Sequence, residues 1–220
     1  MGKSQLSLQE VREMIVSVSH KMIASKDRLT QADKAIGDGD HGIGMARGFE
    51  NVLKKVEGQE FSSLEALFKT VGMALLTSIG GASGAVFGTL FRGAAENLKG
   101  QVVLTAPVFS RILRDGLKAV KDRGHARPGD KTMVDALEPA AVEARNQEAA
   151  PLDVALAAIA EAARLGLEKT KGMVAAVGKA KTLGERSLGH PDPGAVSMAL
   201  ILDFMKEYVE ESRRLPLVSS

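Results

Sequence analysis

The chain has 220 residues, 45% apolar and 4% aromatic, with a formal net charge of +2 and no cysteine. The near-balanced charge, without a dense basic run, argues against nucleic acid or an anionic membrane surface as main partner. Missing thiols exclude a disulfide frame or a thiolate metal site. No apolar run approaches the roughly 20 residues of a membrane span.

The opening MGKSQLSLQE lacks the apolar core of a signal peptide, and Leu6 stands where a myristoylation pattern needs Ser or Thr. A cytoplasmic protein is expected. Periodicity predicts helices over 7–28, 42–57, 61–79, 83–98, 106–123, 130–148, 152–171 and 193–213. Leu64, Leu67, Phe68, Val71, Leu75 and Ile79 step by three and four along one buried face. Val108, Ile112, Leu113, Gly116, Leu117 and Val120 repeat the pattern, as do Leu152, Ala155, Leu156, Ile159, Ala163 and Leu167. QVVLTAP (101–107) is the one strand-like piece, cut off by Pro107. Asp130 is expected to cap the sixth helix, and Asp192 followed by Pro193 reads as N-cap and first residue of the eighth. The closing RRLPLVSS (213–220) is expected to fray. No linker divides the chain, so one all-α domain is expected over 1–220, with its core at about 6–213. Short connections between long helices favour antiparallel neighbours.

In an up-down array, odd-numbered connections share one end. The even connections, EGQE, KGQVVLTA and NQEAAP, carry no convergent chemistry. The odd ones are LTQADKAIGDGDHG, GGASG, GHARPGDKT and GMVAAVGKAKTLGERSLGHPDPGA. Every unusual cluster falls in this second set, which predicts that all four meet at one pole.

DKAIGDGDHG (33–42) matches the dinucleotide pattern GxGxxG but follows no buried strand. It fails as an EF-hand, because Gly42 would occupy the third ligand position and no Glu closes the loop. A hard-cation site remains. Asp38 and Asp40 alternate with glycines that let the backbone turn tightly, and Asp33 lies five residues earlier. Three carboxylates without soft ligands suit Mg²⁺ or Ca²⁺, not zinc. A turn whose acids merely cap helices is the alternative. With a cation bound, such acids become a seat for phosphate. His41 is a candidate donor to phosphate or simply a helix-start histidine. His20 and His125 carry no such signal, and His190 leaves loop packing and function undivided.

SIGGASGAVFG (78–88) brings Gly80, Gly81 and Ser83 to a helix start, where free amides and a partial positive charge bind anions. Close helix packing through small residues accounts for the same glycines. GHARPGDKTMVDAL (124–137) offers Asp130 and Thr132 at another helix start, with Met133 facing inward, and simple capping is the alternative. The long segment 172–195 fails as a Walker A loop, because five residues separate Gly172 from Gly178 and Ala180 follows Lys179. Its length suits a functional loop. Lys179 and Arg186 are candidates for phosphate or base contacts, and Asp192 serves at least as a cap.

Taken together, DKAIGDGDHGIGMARGF, TSIGGASGAVFGT, ARPGDKTMVDAL and GERSLGHPDPGA resemble the nucleotide-binding L subunit of dihydroxyacetone kinases, over about residues 6–210. The resemblance implies an eight-helix antiparallel barrel holding ADP or ATP at one end through paired Mg²⁺ ions. It implies Asp33, Asp38 and Asp40 as metal ligands, and His41, Ser83 and the Gly80 and Gly81 amides at phosphates. Thr132, Met133, Arg186 and Asp192 would surround base and ribose. Two positions depart from the family pattern: Gly44, where relatives carry Asn or Thr, and Lys179, where Arg is common. The implied activity is phosphoryl transfer to dihydroxyacetone or a related short ketose held on a separate K subunit, so this chain is expected to need that partner. The donor is either ATP, or a phosphotransferase-system phosphocarrier acting on ADP retained as cofactor; a separate short chain favours the latter. An ATP-dependent subunit acting on dihydroxyacetone or erythrulose, and a non-catalytic nucleotide-binding regulator, are the alternatives.

Overall fold

The computed structural model describes residues 2–214, so most of the segment expected to fray lies outside the described residues. The order is β1 (Gln5–Ser7), α1 (Leu8–Ala24), α2 (Lys26–Ile36), α3 (His41–Val56), α4 (Leu64–Ser78) and α5 (Gly81–Ala94). Then come β2 (Val103–Thr105), α6 (Ala106–Gly124), α7 (Val134–Asn146), α8 (Leu152–Lys169) and α9 (Pro193–Arg214). Two 3₁₀ segments, Thr170–Gly172 and Lys179–Ser187, lie between α8 and α9. The chain is all-α, as its periodicity predicts, with nine rather than eight α-helices among the described residues.

The extra helix arises because the span 7–28 is broken. Ser25 leaves helical backbone at ψ 3°, and its hydroxyl donates to the Lys21 carbonyl at 2.8 Å. A second helix then runs to Ile36 through what the sequence predicts as loop. Asp33 therefore sits on helix α2, not on a turn. Three other starts shift by two residues or more: α4 begins at Leu64 instead of 61, α5 at Gly81 instead of 83, and α7 at Val134 instead of 130.

The long helices pack in a closed circuit. α1 lies on α3, each helix from α3 to α9 lies on the next, and α9 returns to α1. This is the adjacency of eight helices in an up-down array; α2 packs mainly on α3 and α9 near one end. The interior is aliphatic with four fully buried phenylalanines, Phe49, Phe68, Phe87 and Phe109. Full burial of each such side chain contributes about 1.5–3 kcal/mol.

Caps are legible in detail. Ser7 accepts the Glu10 amide at 3.3 Å while the Glu10 carboxylate accepts the Ser7 amide at 2.7 Å. The one piece of sheet among the described residues is antiparallel, Leu6 opposite Leu104, and fastens the start of α1 beside that of α6. No helix among the described residues is long and apolar enough to cross a membrane.

Candidate functional site

The acidic cluster is built on two elements. Asp33 sits in the last turn of α2, 8% exposed, and its Oδ2 accepts the His41 amide at 3.1 Å. Its carbonyl accepts the Gly37 amide at 2.5 Å, which ends the helix and starts the turn. Asp38 and Asp40 lie on that turn, exposed. Oxygens of Asp33, Asp38 and Asp40 come within 4.8 Å of one another. A cation is already directed there: the Lys179 ammonium pairs with Asp38 Oδ2 and lies 3.5 Å from Asp40 Oδ2. Its bond holds the Asp38 carboxyl below the usual carboxylate range and raises the lysine's own pKa. An all-oxygen set that draws a positive group across the fold fits a hard divalent ion.

His41 opens α3 and is buried. Its Nδ1 lies 3.1 Å from Ser83 Oγ and its Nε2 lies 2.7 Å from Ser197 Oγ. Burial lowers its pKa, against the nearby charges of Asp33 and Asp40. The imidazole thus joins the acidic turn to the starts of α5 and α9, more than a helix-start histidine would do. Ser197 is fully buried inside α9, and nothing in its sequence setting marks it.

At α5 the N-cap is Gly80, with φ 80°, a left-handed conformation that favours glycine. The first intrahelical bond runs from the Gly84 amide to the Gly80 carbonyl at 3.0 Å. The amides of Gly81, Ala82 and Ser83 therefore have no intrahelical partner. Arg47 fastens this corner, donating to the carbonyls of Ser78 at 2.5 Å and Ile79 at 2.6 Å. Gly44 faces the same corner. A Cβ there would stand 3.0 Å from the Ile79 carbonyl, so α3 approaches α4 too closely for a larger residue without movement.

On the other side, Asp130 does not cap α7. Its carboxylate accepts the Arg127 amide at 2.7 Å, and its carbonyl accepts the Ala176 amide at 3.2 Å. Thr132 does the capping, its hydroxyl accepting the Val134 amide at 3.1 Å while Asp135 accepts the Thr132 amide at 2.7 Å. The T-x-x-D spacing of Thr132 and Asp135 is the signal for this box. Met133 is buried beside Gly194. Asp192 caps α9 as its pairing with Pro193 predicts, accepting the Ala195 amide at 2.7 Å. Burial pushes its carboxyl up to about 7, against the Ala195 amide. Lys131, unmarked by any motif, is buried and bonds the Thr170 and His190 carbonyls. Arg186 is exposed on the second 3₁₀ segment.

Contacts among these residues bring the four odd connections to one pole. Lys179 reaches Asp38, His41 reaches Ser83 and Ser197, and the connection before α7 grips the segment before α9 through Ala176 and His190. The extra helix leaves the parity intact because α2 ends at the same pole.

A family model described as the DAK2 domain matches residues 35–207, which includes Asp38 and Asp40 and begins just after Asp33. The chain is 41% identical over 181 residues to the "PEP-dependent dihydroxyacetone kinase 1, ADP-binding subunit DhaL" of Listeria innocua, covering 82% of this chain and 86% of that protein. It is 40% identical over 179 residues to the corresponding "ADP-binding subunit DhaL" of Escherichia coli K12, covering 80% and 85%. Among solved structures it is similar to the dihydroxyacetone kinase from C. freundii in complex with AMP-PNP and Mg²⁺. That match has a TM-score of 0.72 and 27% identity, over 94% of this chain and 35% of that one.

Proposed function

The chain belongs to the DAK2 domain family, and from that premise we propose that it is the nucleotide-binding subunit of a dihydroxyacetone kinase. One observation carries the reading: three carboxylates meet at the mouth of a helix start whose free amides and serine are joined to them by a buried histidine. Asp33, Asp38 and Asp40 would hold Mg²⁺, taken as a pair of ions. Bound there, Mg²⁺ would neutralise phosphate charge and so lower the barrier to phosphoryl transfer.

The chain's own groups bind and orient. The amides of Gly80, Gly81 and Ser83, at the positive end of α5, receive phosphate oxygens. Buried neutral, His41 relays a directed hydrogen bond. For the Ser83 hydroxyl proton to face a phosphate, its oxygen must accept from Nδ1–H, and Nε2 then accepts from Ser197. With Mg²⁺ held by the acids, Lys179 would be free to turn to phosphate. Thr132, Met133, Arg186 and Asp192 flank base and ribose.

The donor favoured by the names of the relatives is phosphoenolpyruvate, relayed by a phosphotransferase-system carrier onto ADP that stays bound. The acceptor, dihydroxyacetone or a related short ketose, is held on a separate K subunit in the cytoplasm. Residues 6–213 act as one domain, a view supported by the closed packing circuit.

The test combines this chain with a K subunit and measures dihydroxyacetone phosphate. Formation from phosphoenolpyruvate and carrier proteins is expected. Formation from ATP without carriers would reassign the donor. No turnover with either donor, in a protein that binds Mg·ADP, would make the chain a nucleotide-binding regulator.

A further inference from the structure

Lys131 is a lysine in the interior. It is 1% exposed and stands in left-handed backbone at φ 62°, which few non-glycine residues adopt. Its Nζ donates to the carbonyls of Thr170 and His190, both at 2.6 Å. Burial pulls its pKa below the ordinary lysine range, against the charges of Asp192 and Asp135. A buried ammonium is costly unless hydrogen bonds satisfy it.

Its two acceptors bracket one segment. Thr170 follows α8 directly, and His190 stands just before Asp192. Between them the backbone carries no long helix, and apart from the ion pair of Lys179 with Asp38 its other ties are local or lead to the same corner. Ser187 donates to the Gly184 carbonyl at 2.7 Å and accepts the Ala175 amide at 3.0 Å. The Gly189 amide reaches the Lys171 carbonyl at 2.8 Å, and the Asp192 amide reaches Thr170 Oγ1 at 3.0 Å. Lys131 is the side chain that grips both ends at once, and it does so from the connection carrying Thr132 and Met133.

We propose that Lys131 is a positioning residue for the base-and-ribose side of the nucleotide site, clamping both ends of the 170–190 segment to the Thr132–Met133 corner. The proposal rests on the nucleotide reading above. The lysine touches neither nucleotide nor metal; it fixes the segment that bears Arg186 and ends at Asp192. The phosphate side is built from α2, α3 and α5 and takes only Lys179 from the clamped segment.

That division gives the test. Calorimetry compares Mg·ADP with Mg·pyrophosphate on wild type and Lys131→Met. The variant should bind ADP about 10-fold more weakly or worse, through lost preorganisation, and pyrophosphate with a several-fold smaller loss, because Lys179 alone ties that side to the segment. Parallel weakening of both ligands, or of neither, overturns the proposal. So does a Lys131→Met protein that fails to fold, since the lysine then belongs to the scaffold at large.

A second variant restores the charge. The chain has no cysteine. Lys131→Cys can therefore be alkylated with bromoethylamine in denaturant and refolded, placing an ammonium at that position alone. ADP affinity should return to within about two-fold of wild type. A folded, alkylated protein that still binds ADP weakly overturns the proposal. Wild type that binds neither ligand rejects the nucleotide reading itself, whereas wild type and variant binding ADP equally well reject only the role of Lys131.

Discussion

The Lys179 ammonium lies against the Asp38 carboxylate, joining residues from opposite halves of the chain across the pole where the four odd-numbered connections meet. The lysine occupies the electrostatic position of a divalent ion. It relieves the repulsion that Asp33, Asp38 and Asp40 would otherwise exert on one another, so a metal bound as proposed would have to displace it.

Lys179→Met therefore has two effects of opposite sign. Mg²⁺ alone should bind more tightly, by up to about 5-fold, the size of an exposed ion pair. Mg·ADP should bind more weakly, because the displaced lysine no longer reaches phosphate. Calorimetry with each ligand reads both. Unchanged Mg²⁺ affinity would show that the lysine does not compete for the acids.

Asp38→Asn tests the acids directly. Asp38 is exposed, and the amide of Asp40 that its carboxylate accepts can be accepted equally by an asparagine side-chain oxygen. The variant should keep its helical circular dichroism and its melting temperature in EDTA. Mg²⁺-dependent ADP binding should fall by more than the roughly 10–100-fold typical of lost outer-sphere partners. Binding at wild-type strength would remove Asp38 from the metal site.

Much of this arrangement was legible from spacing. The apolar stripes of α4, α6 and α8 are broad and regular, so their faces stand out. The break at Ser25 was hidden because α2 is polar: its buried positions Leu29, Asp33 and Ile36 step by four and three, but the middle one is a carboxylate, so no apolar stripe shows. Strand β1 buries Leu6 alone, which is no alternation. The acids and Ser83 announced themselves through neighbouring glycines. Ser197 and Lys131 did not, because one looks like any small helix residue and the other like a solvated charge. Their roles come from partners 39 or more residues away, which local pattern cannot contain.

Ser197→Ala should act through His41. Removing the hydroxyl leaves buried Nε2 without its partner at 2.7 Å, at a cost of about 1–3 kcal/mol. The melting temperature should drop by about 2–4 °C for each kcal/mol. The imidazole should also lose its fixed tautomer, visible in the nitrogen shifts of the ring, and Mg·ADP should bind more weakly. A wild-type tautomer in the variant would dismiss Ser197 as the group that orients it.

Asp192 gives the metal-free protein a pH dependence. In the unfolded chain its carboxyl titrates near about 3.9; in the folded chain burial pushes it up to about 7. Between these values the folded state holds a proton that the unfolded state has released. Folding stability from this group therefore falls as pH rises through that window, and the loss is complete above it. Below the window both states are protonated and the group contributes no slope. Asparagine caps a helix about as well as aspartate, so Asp192→Asn keeps the bond to the Ala195 amide without the titration. Melting curves from pH 4 to pH 8 in EDTA should fall less steeply for the variant. Each kcal/mol removed from the slope corresponds to about 2–4 °C. Superimposable pH profiles for the two proteins would mean that Asp192 ionises in the folded chain as it does in the unfolded one.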